Sequence, residues 1–181
     1  ARSTTVPASQ RAVRTVAAGG SLLDPKATAL FPAITALTPP QVGFTIWNDM
    51  SARDVQRREL PVGMGPAKAK EWDGSNVLGP CIVTTDEIDL ATLQLEVRVN
   101  GERWGGDTTA NMHHSFGDLI AYAAQDQTLR PGDVLGSGTA TGGSGLELDR
   151  WLRPGDVIEM EAGPIGILRN TVGTPTTRKD T

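Results

Sequence analysis

The chain of 181 residues has a formal net charge of -4 and a single cysteine, Cys81. That length suits one core of substantial size and crowds two. A mildly acidic balance without a basic run or basic-aromatic interleaving argues against nucleic acid and membrane-surface partners, and one cysteine excludes an internal disulfide or a cysteine zinc site.

The apolar runs fall far short of a membrane span, and the first residues lack the charged region, apolar block and cleavage site of a signal peptide. A soluble, cytoplasmic protein is therefore expected. Residues 1–41, rich in Ala, Thr, Ser and Pro, hold one aromatic residue, Phe31, and one short amphipathic stretch, QRAVRTVAA. They are expected to form an irregular amino-terminal segment ahead of a domain over residues 42–173.

From Gly43 the punctuation becomes regular. GFTIW reads as a buried strand, NDMSARDVQRREL as a short helix beginning near Asn48, and LGPCIVTT as a strand in which Cys81 is expected to be buried. In LQLEVRVNGERWGG, Leu93, Leu95, Val97 and Val99 alternate with polar residues before Asn100-Gly101, the pattern of a hairpin with one buried face. HSFGDLIAYAAQ spaces Phe116, Leu119, Ile120 and Ala123 as the inner side of a helix. The phrase LRPGDV occurs twice, at 129–134 and 152–157, and reads as two turn-strand units of one sheet. GPIGILRNTV supplies a last strand, and the polar tail, 174–181, is expected to fray.

Three clusters could carry chemistry. On a helix starting near Asn48, Asp49, Arg53 and Gln56 would share one face, and below the apolar FTIW they would converge on a site. Alternatively, Asp49 and Arg53 form an ion pair on a surface helix. In GPAKAKEWDG, Lys68 and Lys70 are either solvated, or one turns inward to meet an anionic substrate or a developing oxyanion. In GSGTATGGSGLELD, small residues permit close backbone approach and Thr139 can hydrogen-bond a ligand, but the Gly-Lys pairing of a phosphate loop is missing.

FTIWNDMSARDVQ, GPAKAK, LGPCIVTTDE, VNGE, LRPGDVLGSGT and GPIGILRNTV stand in the order found in the fumarylacetoacetate hydrolase family, which the chain resembles over about residues 42–173. The resemblance implies a mainly β, α+β fold with few helices, a rolled mixed β-sheet, and assembly as a homodimer. It implies a metal-dependent enzyme hydrolysing a carbon-carbon bond of a β-diketo or 2-oxo acid, with isomerases and decarboxylases among the relatives. Asp49 corresponds to a ligand of Mg²⁺, or of Ca²⁺ or Mn²⁺. Arg53, Gln56 and Lys70 correspond to groups that bind substrate oxygens and stabilise an oxyanion. Thr139 corresponds to a substrate-carboxylate contact, and Glu147 to the carboxylate supporting a water-activating histidine.

Two family features have no counterpart. The family's Glu-x-Glu metal ligands would fall near AAGGS, yet the one carboxylate before Asp49 is Asp24, and the family's general-base histidine also lies upstream, whereas the only histidines here are His113 and His114. Three readings stay open: an enzyme whose upstream ligands are lacking or replaced; an altered member that binds ligands or isomerises; or a catalytically impaired paralogue kept as a subunit or interaction module.

Overall fold

The computed structural model describes residues 11–17, as backbone, together with 42–63 and 65–174. Its strands are β1 (Arg11–Ala17), β2 (Val42–Asp49), β3 (Asn76–Thr84), β4 (Gln94–Val99), β5 (Glu102–Thr108), β6 (Asp133–Gly136), β7 (Val157–Ala162) and β8 (Ile167–Thr171). Among the described residues two α-helices accompany them, α1 (Arg53–Glu59) and α2 (Phe116–Ala123). The mainly β, α+β class therefore holds. Within that class the described strands form two four-stranded sheets, ordered β3-β2-β1-β6 and β5-β4-β7-β8, with antiparallel pairings among the described strands.

The core lies between the two sheets. Phe44 and Ile46 of β2 meet Val97 and Val99 of β4, Ile158 and Met160 of β7 and Leu168 of β8, and Leu152 completes the cluster with no exposed surface. Side chains alternate faces along a strand, so β2 sends Phe44, Ile46 and Asn48 to one side and Thr45, Trp47 and Asp49 to the other. Asn48, wholly buried, reaches the opposite sheet, where its Nδ2 donates to Asn170 Oδ1 at 3.1 Å. The edge-to-face contact of Phe44 with Phe116, 4.9 Å between ring centres, ties α2 to the same core.

The hairpin between β4 and β5 turns at Asn100 and Gly101, with φ of 52° and 80°, as a tight turn with both central residues at positive φ requires. Helix α2 is fixed at its start by a capping box, with Ser115 and Asp118 bonding each other's backbone N–H groups. The two LRPGDV turns fold alike: Asp133 accepts from Arg130 N and Asp156 from Arg153 N, each at 2.7 Å.

Several expectations need correction. The turn-strand units lead into different sheets, β6 into one and β7 into the other, because local turn chemistry does not select a long-range partner. Within residues 1–41, expected to be irregular, β1 pairs with β2 on one side and β6 on the other; its ladders on both edges hold a stretch whose own pattern is weak. The rest of that segment, and the expected fraying of 175–181, lie outside the described residues. Cys81 is exposed, on a strand at the edge of its sheet that also leaves Leu78 and Ile82 46% and 59% exposed. No helix among the described residues is long and apolar enough to cross a membrane.

Candidate active site

Asp49 is the last residue of β2, where the sequence had suggested a helix. Pairing of β2 with β1 as far as Asn48, and with β3 as far as Asp49, keeps this stretch extended, and α1 starts only at Arg53. Asp49, Arg53 and Gln56 therefore do not occupy one helix face. A strand end and a helix start bring them together instead, and neither helix-based reading of Asp49 survives.

The partner of Asp49 comes from the loop before β3. Lys70 Nζ lies 2.6 Å from Asp49 Oδ2 and donates to Ser51 Oγ at 2.8 Å. The two charged side chains are only 30% and 25% exposed, and Ser51 is fully buried. Lys68, by contrast, is exposed. Lys70 is held by its surroundings: its carbonyl accepts from Ser75 Oγ at 2.7 Å and Asn76 Nδ2 at 3.0 Å, and Asn76 stands opposite Asp49 in the ladder. Just ahead of Lys70, the Glu59 carboxylate at the end of α1 accepts from the backbone N–H groups of Ala67, Lys68 and Ala69.

Arg53 completes the positive lining. Its guanidinium donates to Gln56 Oε1 at 2.6 Å and reaches Ser144 Oγ at 3.5 Å, while its Nε is buried without a hydrogen-bond partner among the described residues. Burial pulls the Arg53 pKa below its ordinary value, and the negative charges of Asp49 and Glu147 oppose that pull. A desolvated guanidinium with an N–H to spare suits a carboxylate or enolate oxygen.

Ser144 belongs to the small-residue loop after β6. Gly105 of β5 allows the loop to come close, since a Cβ there would collide with the Gly142 carbonyl. Glu147 is exposed and accepts from Ser144 N at 3.2 Å, so its charge faces Arg53 and not a histidine. Thr139 lies earlier on the loop, also exposed. His113 and His114 are exposed ahead of α2, in edge-to-face contact with ring centres 4.5 Å apart and with His114 beside Asp118. Ser51, Ser75, Asn76, Ser144 and Glu59 escaped notice in the sequence, since small polar residues carry no pattern that separates a site from a turn.

The implied metal requires a test against these residues. A hard divalent ion seeks six or more oxygen ligands. Among the described residues no group of three His, Cys, Asp or Glu side chains could hold an ion, and the Lys70 ammonium sits on Asp49 Oδ2. The strand beside Asp49, RAVRTVA in β1, contains no carboxylate. The described residues do not fit the ion by themselves, and no chemical step below passes through one.

Comparison with known proteins agrees with this architecture. The model of the fumarylacetoacetate (FAA) hydrolase C-terminal domain matches residues 42–173. Oxaloacetate tautomerase YisK of Bacillus subtilis is 36% identical over 133 residues, which cover 72% of this chain and 43% of the relative. The mitochondrial oxaloacetate tautomerase Fahd2a of Rattus norvegicus is 39% identical over 132 residues, 72% of this chain and 41% of the relative. The chain thus spans less than half the length of either curated relative. Among solved structures, the fumarylacetoacetate hydrolase EaFAH of Exiguobacterium antarcticum superposes with a TM-score of 0.78 at 30% identity, covering 96% of this chain and 58% of that one. Shared sequence across the whole strand, helix and loop assembly that carries Asp49, Arg53 and Lys70 places the chain in the fumarylacetoacetate hydrolase family.

Proposed function

We propose that the chain acts on a short 2-oxo acid and catalyses keto-enol interconversion, with an oxaloacetate-type dicarboxylate as the first substrate to try. The observation carrying this reading is the Lys70–Asp49 pair, an ammonium and a carboxylate 2.6 Å apart beside a desolvated arginine. Tautomerisation moves one proton from C3 of the substrate to its C2 oxygen and consumes nothing else. One member of the pair takes the carbon proton, the other protonates the oxygen, and the bond between them returns the proton, so the site is restored after each turnover. Arg53 and Gln56 would orient a carboxylate and hold negative charge on the enolate oxygen. The names of the two tautomerase relatives support the same chemistry.

Hydrolysis of a carbon-carbon bond, the activity the resemblance first implied, is a second reading, favoured by the likeness to EaFAH. It needs a group to activate water. His113 and His114 contact each other ahead of α2, and Glu147 is engaged with Ser144 N and Arg53, which is why tautomerisation is placed first. A homodimer belongs to the proposal, with the exposed Leu78 and Ile82 of edge strand β3 as the surface for a second copy. The deciding experiment follows the enol absorbance of oxaloacetate and the release of cleaved product from an acylpyruvate in parallel. Faster ketonisation without cleavage supports the first reading, and cleavage of the acylpyruvate replaces it with the second.

A further inference from the structure

We infer that Glu59 is a positioning residue whose carboxylate clamps the loop before Lys70 and so sets the direction of the Lys70 ammonium. The inference rests on the proposed proton-transfer role of Lys70. Glu59 accepts three successive backbone N–H groups: Oε2 from Ala67 at 3.0 Å and Ala69 at 3.2 Å, and Oε1 from Lys68 at 2.8 Å. Both carboxylate oxygens are engaged, and neither bonds a side chain of the site. Charge-assisted bonds to the backbone are shorter and stronger than neutral ones.

The clamp matters because, among the described residues, the turn leading to it buries nothing. Leu60–Val62 form a single turn with no buried residue, and Leu60 and Val62 are 55% and 69% exposed. Past the clamp the chain is tied in: Ala69 is fully buried, its carbonyl accepts from Ala52 N at 2.8 Å, and Lys70 N donates to Ala67 O at 2.9 Å. Glu59 also ends the helix that begins with Arg53. One carboxylate therefore fixes the helix bearing Arg53 and Gln56 relative to the loop bearing Lys70. Glu59→Gln keeps the size of the side chain but replaces one acceptor oxygen with an amide donor, which cannot accept from the N–H groups facing it.

The test uses the full chain with four proteins: wild type, Glu59→Gln, Lys70→Met and the double variant. On oxaloacetate, Glu59→Gln is expected to lower kcat about tenfold to a hundredfold, the cost of a misplaced catalytic group, with little change in KM. In the Lys70→Met background the same substitution should cost almost nothing. An equal loss in both backgrounds would overturn the inference, because Glu59 would then act by another route. An unchanged kcat would overturn it as well. A second readout does not depend on turnover and adds Asp49→Asn, alone and combined with Lys70→Met, in the wild-type and Glu59→Gln backgrounds: the energetic coupling between Asp49 and Lys70 in urea unfolding should disappear in the Glu59→Gln background, and coupling that persists contradicts the clamp. A wild type inactive on oxaloacetate but showing Glu59-dependent coupling would refute the proposed reaction and leave the clamp standing.

Discussion

Replacing Lys70 by Met tests how tightly the pair with Asp49 is built. The Met side chain matches the aliphatic stem but removes the ammonium, so Asp49 loses a donor at 2.6 Å and Ser51 loses one at 2.8 Å. Two unit charges about 4 Å apart interact by roughly 4 kcal/mol at an effective dielectric near 20. Desolvation of both groups offsets part of this, and at 30% and 25% exposure the pair lies between a surface bridge and a sealed one. Surface bridges contribute about 0.2–1 kcal/mol and breaking a buried pair costs about 3–5 kcal/mol, so a loss of about 2 kcal/mol is expected. Urea unfolding of wild type, Lys70→Met, Asp49→Asn and the double variant measures it. The coupling from that cycle should be about 1–2 kcal/mol and should survive moderate salt, unlike the exposed Asp54–Arg58 pair, whose side chains are 70% and 73% exposed. A coupling below about 0.5 kcal/mol, the range of a solvated bridge, would mean that the pair is no tighter than one in open solvent.

Other expectations follow from particular contacts. Gly105→Ala forces its new methyl group against the Gly142 carbonyl; the strain should cost about 1–3 kcal/mol and move the loop carrying Ser144, lowering affinity for oxalate in calorimetry more than the stability loss alone explains. Leu152→Ala, at a position with no exposed surface in the central cluster, should cost about 2–5 kcal/mol in urea unfolding. Hydrogen bonds hold the pKa values of Asp118, Asp89 and Asp107 below the ordinary carboxylate value: bonds from Ser115, from Thr92 and Ala91, and from Asn111 and Thr108. Their stabilisation is complete above the unfolded pKa near 4 and disappears as pH falls through the lower folded values. The urea midpoint should therefore drop below about pH 4, and Asp118→Asn should flatten that limb.

The strands were legible because alternation is local. Val97 and Val99 show their buried face in the sequence itself, and Asn100-Gly101 names its own turn. Asp49 was misassigned to a helix because its conformation depends on ladders with β1 and β3, neither of which the local pattern reveals. Lys70 was singled out by motif, but its partnership with Asp49 spans 21 positions and follows from the folded sheet. The same holds for Cys81, whose exposure depends on which strand ends the sheet. Arg53 and Gln56 came together as expected, though the helix that carries them starts later, so the proximity had a different cause.

In the proposed reaction Lys70 and Asp49 exchange a proton with a bound 2-oxo acid. The most direct measurement is the rate of enol loss from oxaloacetate with wild type and with Lys70→Met, each checked by thermal unfolding at the assay temperature. Ketonisation should run faster with wild type than in buffer and fall by about a hundredfold or more in Lys70→Met while that variant remains folded. Equal rates for the two folded proteins, or a wild type no faster than buffer, would contradict the proposed reaction.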